Sequence, residues 1–218
     1  ILAILDGFGA STEKEGNPMT TARTPALDEI ERDFPFITLQ ASGIAVGLPP
    51  REAGNSEVGH LTIGCGRTIY HHLPRIISSI HDGSFFKNEI LLKAIAHVKA
   101  HGSRLHIAGL VSSGSVHSYI NHLYALLDLA KREDIAHVFI HEFTDGKDAP
   151  PQEGASVIRE LEARCVDEWP NTRVASVIGR FYAMDRDTQW DRIQVAYDLM
   201  TQGKGKAVAS IPDYLEQE

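Results

Sequence analysis

Apolar residues along the chain fall into two alternating rhythms: short continuous runs, and longer stretches with a period near 3.6. That alternation predicts a parallel β-sheet covered by helices, an α/β fold. The pattern is regular from about Tyr70 onward. Ile90, Leu91, Ala94, Ile95 and Val98 place one apolar stripe on a helix over residues 86–101, and Gly102 is positioned to end it. Strands are predicted over 105–111, 137–143 and 173–178, and helices over 120–131, 154–168 and 188–200. Before Tyr70 the rhythm is looser. Residues 1–5 and 36–40 read as short buried strands, and Thr24-Pro25 reads as a cap and first-turn proline of a helix ending near Phe34. A Gly/Pro-rich loop over 43–54 leads into a helix opening near Asn55-Ser56. The change of rhythm, placed at 68–80, divides the chain into a first region, 1–70, and a second, 71–218.

Composition narrows the function. The 218 residues are 43% hydrophobic and 23% charged, an ordinary globular balance with material for one large domain or two unequal ones. The longest apolar runs, such as Ile107-Ala108-Gly109-Leu110-Val111, fall far short of the roughly 20 residues of a membrane span. No secretory signal opens the chain, and Cys65 and Cys165 lie far apart, which suits reduced thiols in the cytoplasm. A formal net charge of −8 argues against a general nucleic-acid binder. A phosphate-bearing small molecule would need cations gathered locally, so arginines in loops carry more information than the total charge. The sequence starts inside an apolar run without Met, and its last residues, 211–218, offer no obvious closing element, so both ends read as cut.

Ligands of parallel sheets bind beyond the carboxyl ends of the strands. Four segments lie there on this reading: Asp6-Gly7, 112–118, 144–148 and 179–186. Asp6 follows an apolar run and offers a hard oxygen to a divalent cation, although an Asp-Gly pair is also an ordinary turn. Gly54-Asn55-Ser56-Glu57-Val58-Gly59-His60 sets a serine beside the free N–H groups of a helix start, where a phosphoryl group can be held; an N-cap serine is the plainer alternative.

These segments resemble the cofactor-independent phosphoglycerate mutases of the alkaline phosphatase-like superfamily. The resemblance rests on Asp6-Gly-Phe-Gly9, the heptapeptide around Ser56 leading to Ile63-Gly-Cys-Gly-Arg67, Val116-His-Ser118, Asp145-Gly-Lys-Asp148 and Gly179-Arg-Phe-Tyr-Ala-Met-Asp-Arg186, in that order. It implies an incomplete, split phosphatase-like domain beginning at 1–70 and a substrate-binding transferase domain over 71–218. It implies interconversion of 3-phosphoglycerate and 2-phosphoglycerate in glycolysis and gluconeogenesis, through a phosphoserine on Ser56. Asp6 and Ser56 would ligate one of two manganese ions, with magnesium or another divalent ion as the alternative. His117 would contact the travelling phosphate and Asp148 would shuttle a proton. Lys147, Arg180 and Arg186 would hold the substrate, with guanidinium suited to bidentate grip. A cytoplasmic monomer with a small-molecule substrate, and neither nucleic acid nor membrane as partner, completes the expectation.

Three departures stand out. The family's Asp-Gly-Arg-Asp has Lys147 at its third position, and its Ser-Asp-Gly-Gly-Val-His-Ser-His becomes Ser112-Ser-Gly-Ser-Val-His-Ser-Tyr119. No Asp-His pair of the kind that completes the family's metal site occurs in the chain, so the 218 residues alone are expected to be inactive. A metal-dependent phosphatase and an inactive phosphoglycerate-binding module are the rival readings. His71, His72, His97, His101, His106, His137 and His141 lack ligand spacing and read as surface or helix-end residues.

Overall fold

Three parallel strands, β1 (Leu105–Val111), β2 (Val138–Thr144) and β3 (Thr172–Gly179), form a sheet in the order β1-β2-β3 in the computed structural model, which describes residues 1–49 and 53–217. Val111 pairs with Thr144 and Thr144 with Gly179, so all three strands end at one level. The crossovers are α6 (Ile120–Arg132) and α7 (Gly154–Glu168). α5 (Glu89–His101) precedes β1, capped by the Asn88 side chain and ended by Gly102 in the left-handed conformation (φ 55°). Parallel neighbours need such crossovers, and the helices bury their apolar stripes on the sheet. Leu127 of α6 and Leu161 and Cys165 of α7 cover Val138 and Ile140 of β2, with Trp169 closing the core. Trp169 is buried, donates its indole N–H to Asp128 (2.9 Å) and stacks on Tyr124.

These elements lie in the second of two compact units, Ile76–Glu218; the first is Ile1–Arg75. The boundary falls inside α4 (His72–Asp82). The first unit is helical where it is regular: α1 (Pro18–Thr21), α2 (Pro25–Asp33), a 3₁₀ turn (Gly43–Val46) and α3 (Ser56–Cys65).

The predicted strands over 1–5 and 36–40 do not form. Both segments are irregular, with Leu2, Ile37 and Leu39 exposed. A strand is stabilised by a hydrogen-bonded neighbour, and among the described residues neither run has one. Thr24 precedes α2 but does not cap it; its hydroxyl donates to the Asp28 carboxylate (3.0 Å). Three of the residues predicted as loop, 50–52, lie outside the described residues, as does Glu218. The last long helix, α9 (Trp190–Gln202), starts two residues later than predicted because Thr188 takes a positive φ of 59°. Four helices were not anticipated: α4, and the short α1, α8 (Arg180–Ala183) and α10 (Ile211–Leu215), the last of which places Asp213, with Glu216 after it, to pair with Arg159 of α7. The three short ones are not long enough to show a helical period.

Candidate functional site

Because the strands of the second unit end level, Ser112, Asp145 and Arg180 emerge side by side, each the residue after its strand. They bond to one another. Asp145 accepts from the Ser112 hydroxyl (2.8 Å), the backbone N–H groups of Lys147 and Asp148 (3.0 Å each) and Arg180 Nη1 (2.6 Å). Burial pushes the Asp145 carboxyl upward, but hydrogen bonds from the Asp148 N–H, Arg180, Ser112 and the Lys147 N–H outweigh it and hold the group at about 2. Arg180 Nη1 also donates to Asp148 Oδ2 (2.6 Å), and His117 Nε2 lies 3.8 Å from the same oxygen. A Cβ at Gly114 would approach the Asp148 carbonyl oxygen to 2.8 Å, so glycine lets the His117 loop lie against the Asp148 loop. At the departing position Ser113, the backbone N–H and hydroxyl donate to Glu153 (2.9 and 2.6 Å), tying this loop to the start of α7.

The segment after α8 is pinned by Asp185, whose buried carboxylate accepts from the Asp187 N–H (3.2 Å), the Gln189 N–H (2.9 Å) and Arg192 Nη1 (3.1 Å). Arg192 also lies over the Phe181 ring, 4.0 Å from its centroid. The result is an open cleft of about 590 Å³, lined by His117, Lys147, Arg180, Arg186 and Arg192 together with Asp145, Asp185 and Asp187; Asp148 bonds to Arg180 but is not in the lining. Arg180 and Arg192 are paired with Asp145, Asp148 and Asp185, so Lys147 and Arg186, without a carboxylate partner among the described residues, are the cations most open to an entering anion.

In the first unit, the N-cap of α3 is Asn55, whose side chain accepts from the Val58 N–H (3.2 Å). Ser56 is therefore not consumed in capping. Its exposed hydroxyl donates to Asp6 Oδ2 (2.6 Å), across 50 residues of sequence. His60, one turn along α3, has Nδ1 2.7 Å from the Ser56 carbonyl and 3.2 Å from the Ser56 hydroxyl. A carbonyl only accepts, so Nδ1 carries a proton and cannot take the one on Ser56; Asp6 is the acceptor for it. Asp6 and Ser56 are adjacent hard oxygen donors of the kind divalent cations take, and they fit as part of such a ligand set. Among the described residues, no group of three or more His, Cys, Asp or Glu is placed to hold a metal.

Four contributors escaped the sequence reading: Asp145, Asp185, Arg192 and His60. Asp145, Asp185 and His60 stood inside quoted motifs with no role assigned to them. The position of Asp145 directly after a strand was the available signal, as were the i,i+4 spacing of His60 from Ser56 and the seven-residue spacing of Arg192 from Asp185. His106 and His141, read as surface or helix-end residues, lie on β1 and β2 and are hydrogen-bonded to each other (2.9 Å), and His141 bonds Ser176 (2.7 Å).

A parallel α/β unit with an arginine- and aspartate-lined cleft at its strand ends is the class this geometry defines. The family model for the BPG-independent PGAM N-terminus matches residues 76–218, and the chain belongs to that family. It is 52% identical over 203 residues to a 2,3-bisphosphoglycerate-independent phosphoglycerate mutase of Methanosarcina barkeri, covering 93% of this chain and 38% of that protein. With the Clostridium beijerinckii enzyme of the same name the identity is 47%, covering 100% and 42%. A crystal structure of Leishmania mexicana phosphoglycerate mutase at low cobalt concentration superposes with a TM-score of 0.71 at 29% identity, over 98% of this chain and 40% of that one. The chain thus spans about two fifths of the length of the proteins it matches. No helix among the described residues is long and apolar enough to cross a membrane.

Proposed function

We propose that this chain belongs to a cytoplasmic, monomeric phosphoglycerate mutase that interconverts 3-phosphoglycerate and 2-phosphoglycerate through a phosphoserine on Ser56. The observation that carries the reading is the cleft at the strand ends, in which Lys147, Arg180 and Arg186 line the same concavity as His117. Phosphoglycerate bears a carboxylate and a phosphate, and separate cations can grip both. The mutase names of the relatives agree with it.

In the proposed reaction the Ser56 oxygen bonds to phosphorus while the bond from phosphorus to the substrate oxygen breaks. Asp148, released from Arg180 and in its acid form, gives a proton to the leaving oxygen; the second hydroxyl returns one to Asp148 as it attacks the phosphoserine, and the departing Ser56 oxygen recovers the proton that it gave up in the first half. One P–O bond forms and one breaks in each half, and the proton count closes. Arg180 and Arg186 keep the dephosphorylated glycerate in place between halves, which separates a mutase from a phosphatase. His117 donates to the phosphoryl oxygens. Asp6 receives the Ser56 proton and returns it when the phosphoserine is attacked; with Ser56 it would also be a ligand of a divalent cation. Such a cation, which we assign as manganese with magnesium as the alternative, would supply positive charge that lowers the hydroxyl pKa.

The test is to incubate the complete protein encoded by the gene with 3-phosphoglycerate and map the phosphorylated peptide by mass spectrometry. Phosphate on Ser56 and formation of 2-phosphoglycerate are expected. Phosphate on a histidine, or release of inorganic phosphate in place of the isomer, would reject the assignment.

A further inference from the structure

We propose that Asp145 is a positioning residue, the fixed anchor that sets Arg180 and the Asp148 peptide against each other; the inference deepens the reading above and rests on it. Asp145 and Asp148 both accept from Arg180 Nη1 at 2.6 Å, yet they are not equivalent. The Asp145 side chain is 1% exposed and is engaged by four donors drawn from all three strand ends. The Asp148 side chain is 16% exposed, its carboxylate accepts from Arg180, and His117 Nε2 lies 3.8 Å from it. An anion entering the cleft can therefore take Arg180 from Asp148 but not from Asp145. The arginine keeps its place, and the carboxylate assigned to proton transfer is released as the ligand arrives. A turn-forming aspartate would account for the bonds from the Lys147 and Asp148 N–H groups. It does not account for the bonds from Ser112 and Arg180.

The test compares Asp145→Ala and Asp145→Asn with wild type in the complete protein, measuring kcat, KM for 3-phosphoglycerate and the thermal midpoint. For Asp145→Ala we expect kcat lowered about 100-fold and KM raised about 10-fold, as for a catalytic pair displaced by about an ångström. Asp145→Asn keeps an oxygen acceptor for the two N–H groups and for Arg180 but loses the charge, and kcat should fall about 10-fold with a midpoint within about 5 °C of wild type. Both parameters within twofold of wild type in both variants would overturn the inference. So would a loss of turnover that only tracks the loss of folded protein while KM stays constant. If wild type itself shows no mutase turnover, the proposed function fails separately, and calorimetric titration with inorganic phosphate decides the anchor. Binding at least about 5-fold weaker in Asp145→Ala supports positioning. Equal or tighter binding, as expected of a carboxylate that merely repels anions, overturns it.

Discussion

In the second unit, Ser112, Asp145 and Arg180 leave three adjacent strands at one level and bond to each other. In the first, Asp6 and Ser56 are joined by one hydrogen bond between an irregular segment and the first turn of α3, and both are exposed. A group on a strand end inherits the rigidity of a packed sheet; a group on an exposed segment has only its immediate partner. The two units therefore call for different experiments, one set aimed at chemistry and the other at the scaffold.

The largest expected effect belongs to the less rigid region. Ser56→Ala in the complete protein should lower kcat at least about 10⁴-fold and abolish the phosphoenzyme, as removal of a nucleophile does; phosphate incorporation during turnover is the measurement. Scaffold comes next. Leu161 is 0% exposed, and Leu161→Ala should cost about 4 kcal/mol in urea unfolding of the second unit. Arg186→Ala should cost about 3 kcal/mol in kcat/KM if its guanidinium grips a charged group of the substrate in the transition state. A smaller effect, in pH dependence, comes from Glu142, which is fully buried on β2 with neither carboxylate oxygen hydrogen-bonded. Burial, with a contribution from Glu162, raises its pKa from an ordinary 4.5 to about 8. Between those values the folded state holds a proton that the unfolded state has lost, so stability falls as pH rises toward 8 and is highest on the acid side. Urea unfolding should show a loss of roughly 2–3 kcal/mol from pH 6 to pH 9, and Glu142→Gln should flatten it. The smallest effect sharpens the contrast between units: Ile4, 43% exposed, should tolerate Ile4→Ala within about 0.5 kcal/mol. A large loss there would mean that the apolar run at 1–5 is packed in solution.

The same contrast explains what the sequence disclosed. The strands β1, β2 and β3 and the crossovers α6 and α7 were legible to within a residue or two, because each buries a periodic face inside one local α/β unit. The runs at 1–5 and 36–40 have equally good strand composition, but pairing is a property of two segments, and composition describes only one. Likewise, the motifs disclosed Ser56, His117, Lys147, Asp148, Arg180 and Arg186 as candidates. They did not reveal that Asn55 supplies the cap of α3, which leaves the Ser56 hydroxyl for Asp6. Asp145 was hidden for a different reason: its importance lies in contacts to residues 33 positions before it and 35 after it.

The chain's two tryptophans occupy opposite environments. Trp169 is 3% exposed, with its indole N–H on Asp128, whereas Trp190 is 72% exposed at the start of α9, just past the segment pinned by Asp185. Their fluorescence should therefore separate into a blue emission sheltered from iodide and a red emission quenched by it. The red component arises two residues from Arg192, which lines the cleft. It gives an optical signal of anion entry that needs no turnover and no added label, while the blue component reports whether the sheet beneath stays folded.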